Sequence, residues 1–191
     1  MVSLSTTKSV PSPTLASVQA TRDLEAIAHM RVSEDRRRPL KVIFFNITGT
    51  LADGLSEGLD PDALANFESL IINATKVVDL ALVIIGSHID PRCEGQKKVY
   101  EQNLKLIQSR SFYPLIVGHT LPTKRDSSDK VVEVWLSKNT HLKIKDYIVI
   151  TWLGKLLSEK YPRNFIEIDP SRDGPLLSED DVKKAYSLLS E

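Results

Sequence analysis

Asn46, Thr48 and Thr50 stand at alternate positions after the apolar run Lys41-Val42-Ile43-Phe44-Phe45, with Gly49 between the last two. Short hydroxyl and amide side chains around a glycine, at the end of a strand, are the groups that hold a phosphate or sulfate through side-chain and backbone donors. Ser87 follows a second apolar run, so Thr50 and Ser87 form a candidate anion site through hydroxyls and backbone amides at strand ends. Without a cation or a firmly placed lysine such binding is weak. Thr151-Trp152 closes a later apolar run and is the fourth place where polar chemistry meets a strand end. Cys93, the single cysteine, has His88 five residues away. A catalytic thiolate needs a base in contact and an electropositive pocket, which spacing alone does not supply, so the pair is set aside.

The elements that must position these residues can be read from apolar period. Val42 to Phe45 is a continuous β-prone run, the pattern of a strand covered on both faces. Asp62 to Val78 places Leu64, Phe67, Leu70, Ile71, Ala74 and Val78 at helical spacing, one buried stripe. Leu80 to Gly86 reads as the second strand, Tyr100, Leu104 and Ile107 mark the next helix, and Pro114 to Val117 reads as a third strand closed by Gly118. Ser127 or Ser128 is placed to cap a helix carrying Val131, Val134 and Trp135. Tyr147 to Ile150 and Phe165 to Ile168 are the fourth and fifth strands, and Ser178 starts a last helix with Ala185, Leu188 and Leu189 inward. Short apolar strands alternating with amphipathic helices predict an α/β fold: a doubly wound, three-layer, Rossmann-like sandwich on a mainly parallel five-stranded sheet. In such a sheet ligands bind outside the carboxyl ends of the strands, near the point where strand order reverses. That directs attention to Asn46–Thr50, Gly86-Ser87-His88, Gly118–Lys124 and Thr151-Trp152.

The same strand ends carry a family pattern. Phe45-Asn46-Ile47-Thr48-Gly49-Thr50-Leu51 resembles the first motif of the haloacid dehalogenase (HAD)-like proteins, a strand followed by Asp-x-Asp-Gly-Thr-Leu, with both aspartates replaced. Ser87 matches the phosphate-binding Ser/Thr of the second motif. Val131 to Leu136, Asp146 to Ile150 and Leu176 to Val182 look like one subgroup, which includes the HAD domain of the Swiss Army Knife RNA-repair proteins. The resemblance covers about residues 40 to 191. It implies a HAD-like domain over residues 39–191, which follows a flexible Ser/Thr/Pro-rich tail over 1–38. The stretch from Leu51 to Asp79 is too short for a large cap domain, which by the same resemblance leaves an open cleft.

What the family's chemistry requires shows what the departures mean. The first aspartate attacks phosphorus; Asn46 holds that position, and a neutral amide is a poor nucleophile. The second aspartate is the general acid and base; Thr48 holds that position, and an alcohol has no useful pKa for the task. Mg²⁺ is held by the first aspartate and an acidic pair after the fourth strand, and that pair aligns with Thr151-Trp152. Ser128 aligns with the third-motif Lys or Arg, with Lys124 and Lys130 as substitutes. No catalytic residue, no metal and no cofactor are therefore expected, Mg²⁺ included. The expected function is a catalytically degenerate, pseudo-phosphatase module that binds a protein partner. The alternatives are a divergent phosphohydrolase of nucleic-acid ends using Asp53, Asp90 or Asp126, and a phosphate-ligand sensor.

Bulk properties limit the partners. The formal net charge is zero, and the only dense basic run, Arg36-Arg37-Arg38, reads as a solvated stretch before the first strand, so nucleic acid has weak support. The longest apolar run, Leu80 to Ile85, is strand-sized, and none approaches the roughly 20 residues of a membrane span. One cysteine permits no disulfide within the chain, which fits an intracellular, cytoplasmic setting. Residues 1–21 hold no acid and are rich in Ser, Thr and Pro; they suit a flexible tail, with organellar import as the other reading, and a short helix is expected over Arg22 to Met30. Two decoys are discounted. Asp169 to Gly174 with Asp180 partly mimics a calcium loop but follows a strand, and the glycosylation triplets at Asn46 and Asn73 fall on core elements.

Overall fold

The computed structural model describes residues 38–53, 58–86, 94–120, 130–152 and 159–191, all within one compact unit spanning Asp35–Glu191. Of the tail expected over residues 1–38, all but Arg38 lies outside the described residues, and so does its short helix.

Five strands form one parallel sheet: β1 (Leu40–Phe45), β2 (Asp79–Ile85), β3 (Ile116–Thr120), β4 (Asp146–Thr151) and β5 (Phe165–Glu167). Their order is β3-β2-β1-β4-β5, as a doubly wound chain requires. All six residues of β1 are buried, because β1 is central and covered on both faces. Its alternate residues feed two cores. Ile43 and Phe45 join Phe67, Ile107 and Leu189 on one face, from helices α1 (Pro61–Ala74), α2 (Glu94–Gln108) and α4 (Glu179–Ser190). Val42 and Phe44 join Val132 and Trp135 on the other, from α3 (Val131–Lys138). Right-handed crossovers explain the division. The chain steps outward from β1 through α1 and α2 on one face, then doubles back through α3 on the opposite face to lay β4 beside β1.

Side-chain shape locks each layer. Phe44 meets Trp135 edge to face at 5.4 Å, and Phe67 bridges Phe45 at 4.7 Å to Phe112 at 5.3 Å. Lys41, 2% exposed, faces the α4 layer and donates from Nζ to the Leu188 carbonyl at 3.3 Å. Its ammonium thereby satisfies a last-turn carbonyl of α4, where a cation also suits the helix dipole.

The third strand differs from expectation. Pro114 lies in a 3₁₀ turn over Tyr113–Leu115, and Gly118 sits inside β3. Proline fixes φ and lacks an N–H, so it initiates the turn that precedes the strand. Gly118 is needed for packing: a Cβ there would stand 2.5 Å from Trp135 Nε1. The register with β2 shifts at this point, between Leu82 and Val83, leaving Val117 as the extra residue. Of the expected helix caps, Ser127 and Ser128 lie outside the described residues, and Lys130 occupies the cap position of α3 without a side-chain hydrogen bond. Among the described residues no helix is long and apolar enough to cross a membrane.

Two caps tie the helices to the loops. Asp60 accepts from the amides of Asp62 and Ala63 at the start of α1, and its other oxygen accepts from Leu176 N at 3.1 Å. Ser178 and Asp181 form a reciprocal capping box at the start of α4, and Arg172 donates to Ser178 Oγ at 2.9 Å and to Asp181 Oδ2 at 2.7 Å. Ser178→Ala removes the acceptor for both Asp181 N and the guanidinium. We expect it to lower unfolding stability by about 1 kcal/mol, with Ser178→Gly milder, read from urea midpoints.

Candidate functional site

The strand order reverses between β1 and β4, so their carboxyl ends border the crevice where ligands of doubly wound sheets bind. Asn46 is the residue immediately after β1, and Thr151 is the last of β4. Each follows by two a buried residue of the α3-side core, Phe44 and Val149, so the two polar side chains crown that core together. Both are 0% exposed.

They are bonded to each other. Thr151 Oγ1 donates to Asn46 Oδ1, and Asn46 Nδ2 donates to the Ile85 carbonyl at 2.8 Å. One carboxamide thus spans the ends of β2, β1 and β4, with its donor and its acceptor both engaged inside the protein. The next residues fold into a tight knot. The Ile47 carbonyl accepts from Leu51 N at 2.8 Å and Ala52 N at 3.0 Å, with a longer contact from Thr50 N, and Gly49 N donates to Ala52 O at 2.6 Å. Thr48, half-buried, bridges Ala52. The amides of residues 49 to 52 therefore point into the turn, away from any anion that the strand end would otherwise attract.

Trp152 completes the closure. Gly49 has φ of +79°, and a Cβ on it would lie 2.0 Å from the Trp152 ring, so the indole rests directly on the glycine. Trp152 keeps 39% of its surface exposed, as the outer cover of the crevice. Thr50 is fully buried and its Oγ1 has no hydrogen-bond partner. Lys130 is exposed at the start of α3. Asp53 is also exposed. Ser87, Lys124, Asp90, Asp126, His88 and Cys93 lie outside the described residues.

The structure thus brings together Asn46, Thr151, Trp152 and the Thr48–Thr50 turn, as the strand-end argument expected. It adds two contacts that spacing did not reveal, the Ile85 carbonyl and the seat of Trp152 on Gly49. A backbone carbonyl leaves no trace in side-chain pattern, whereas a tryptophan directly after a strand end was a visible signal of a covered crevice. As for Mg²⁺, the donor set at Asn46, Thr48, Thr151 and Trp152 is amide, hydroxyl and indole. A hard divalent cation needs carboxylates, so these residues do not fit the ion. Among the described residues no group of three or more His, Cys, Asp or Glu is placed to hold a metal. In the calcium-like stretch, the Asp169 carboxylate is occupied by Ser171 N and Oγ, and Asp180 pairs with Lys183.

A second polar pair lies at the β3 edge. Tyr100 on α2 and His119 on β3 stack at 5.9 Å and share a 2.5 Å hydrogen bond between the phenol and Nε2. Burial pushes the phenol up to about 12 and the imidazole below its ordinary value. A depressed imidazole leaves the unfolded chain binding more protons in acid. This contribution to stability is intact above about pH 6.5 and is lost as pH falls through the folded value. His119→Phe, which keeps the stacking, should flatten that acid-side slope in urea midpoints measured from about pH 7.5 to pH 5.

The Gly49–Trp152 contact makes a separate prediction. Gly49→Ala should destabilise by about 2–3 kcal/mol, combining left-handed strain of roughly 1–2 kcal/mol with overpacking against the indole. In a Trp152→Ala background only the strain should remain, so a double-mutant cycle should return a coupling of about 1 kcal/mol or more.

No protein-family model, no curated protein and no solved structure matches the chain.

Proposed function

We propose that the chain is a HAD-like domain whose catalytic centre has become a structural contact, and that it acts by binding a protein partner rather than by turnover. Support for the family comes from the parallel sheet in the order β3-β2-β1-β4-β5 with the motif residues at its carboxyl ends. The observation that carries the loss of catalysis is the Asn46 carboxamide. A nucleophile must present a free lone pair to the substrate, whereas Oδ1 accepts from Thr151 Oγ1 and the group is fully buried. The general-acid position is an alcohol with no pKa suited to proton transfer, and the metal positions carry no carboxylate.

A phosphate sensor finds less support in the same geometry. The amides of residues 49 to 52 are occupied within the turn, and the Thr50 hydroxyl is shut away from solvent. An anion would have to displace these bonds and the indole before reaching a donor of this turn.

Two measurements test the proposal. Hydrolysis of an aryl phosphate with Mg²⁺ should be absent; turnover abolished by Asn46→Ala would overturn the reading. In the variant Asn46→Asp, Thr48→Asp, Thr151→Asp and Trp152→Asp, the cover is removed and carboxylates return to the family's positions. Calorimetry should then detect Mg²⁺ binding that the parent chain lacks. A folded variant that stays silent would count against the assigned correspondence.

A further inference from the structure

The outward surface of α1 and α2 is used by neither the sheet nor the crevice. A groove of about 390 Å³ runs between these helices, lined by Leu59, Leu64, Ala65, Glu68, Leu106 and Arg110 among others. Leu106 is 40% exposed, and Ile72, one helical turn beyond Glu68 on the same strip of α1, is 58% exposed. These are two of the five exposed large apolar side chains among the described residues.

The groove holds two charges of opposite sign on opposite walls, Glu68 from α1 and Arg110 from just beyond the end of α2. Among the described residues neither takes part in an ion pair. Arg110 Nε, moreover, is buried with no hydrogen-bond partner.

The required occupant follows from the charge pattern. A partner of a single sign would neutralise one wall and confront the other. A surface carrying one cation, one anion and apolar side chains between them is complementary to itself under a two-fold rotation. We infer that this face is a homodimer interface occupied by a second copy of the chain, with Arg110 of each copy paired to Glu68 of the other. Leu106 and Ile72 from both copies then lose their water together.

Sedimentation velocity of the full chain over a concentration series tests this. The parent should show a monomer–dimer equilibrium. Arg110→Glu and Glu68→Arg should each raise the dissociation constant by about tenfold or more, since each sets like charges opposite one another twice. An equimolar mixture of the two variants should recover the dimer, because in the mixed species both cross-pairs are again opposite in sign. Recovery on mixing separates pairing between copies from pairing within one chain. Leu106→Ser, an uncharged change at a side chain already exposed, should weaken the dimer without adding a charge beside Arg110, and unchanged circular dichroism would show that each variant is folded. A parent that stays monomeric throughout the series, a dimer indifferent to all three changes, or variants that mixing does not rescue would overturn the inference.

Discussion

The carboxamide of Asn46 carries the constraint on which the upper edge of this sheet depends. Where strand order reverses, the helices leave in opposite directions and the ends of the central strands lack a neighbour above them. Polar groups there need a partner, and an unsatisfied buried one costs about 1–3 kcal/mol. A bound ligand commonly supplies it. Here the amide does so internally, donating to Ile85 on β2 and accepting from Thr151 on β4. Aspartate could accept from Thr151, but it has no donor for the Ile85 carbonyl, and its charge would be buried without a cation. The residue that closes the crevice is therefore poorly suited to nucleophilic attack.

Neighbouring features follow from that closure. The positive φ and missing side chain of Gly49 make a seat for an indole, and Trp152 takes it. The turn is free to direct its amides at Ile47 and Ala52, which draws Leu51 and Ala52 into the core. Leu51 in turn accepts from Asp60 N, and Asp60 caps α1 while holding Leu176 in the approach to α4. One chain of hydrogen bonds thus runs from the switch point to the two helices that pack together on the α1 face.

Much of this was legible in the residues. The unbroken apolar run of β1 could only be a central strand, and the stripe from Leu64 to Ala74 could only face a sheet. Ser178 ahead of Asp181 announced its helix because the capping pair is local in sequence. The third strand was misread because Gly118 looks like a turn glycine, while its absent side chain makes room for Trp135 from a different helix. A demand set by a distant ring cannot be inferred from neighbours in the chain. The same limit applied at the candidate site. The amide and hydroxyl at these two strand ends were visible, but not that Asn46 and Thr151, 105 positions apart, bond to each other. Lys41 was equally hidden: a lysine inside a strand suggests an edge, and its burial makes sense only once the end of α4 is known to lie against it.

The edges of the sheet restrict how such a molecule can meet a partner. An open strand edge is a template for adding another strand, and natural sheets blunt it. The extra residue at Val117 disturbs β3, which twists a bulged strand away from regular pairing. On the opposite side β5 offers only three residues. With both edges unsuited to strand addition and the crevice filled by its own side chains, the surfaces left for recognition are helical. Among these the outer face of α1 and α2 stands apart, since it combines exposed aliphatic side chains with a cation and an anion that form no ion pair among the described residues. Contact through helix faces also leaves the sheet and its carboxyl-end hydrogen bonds undisturbed, so association there need not reopen the crevice.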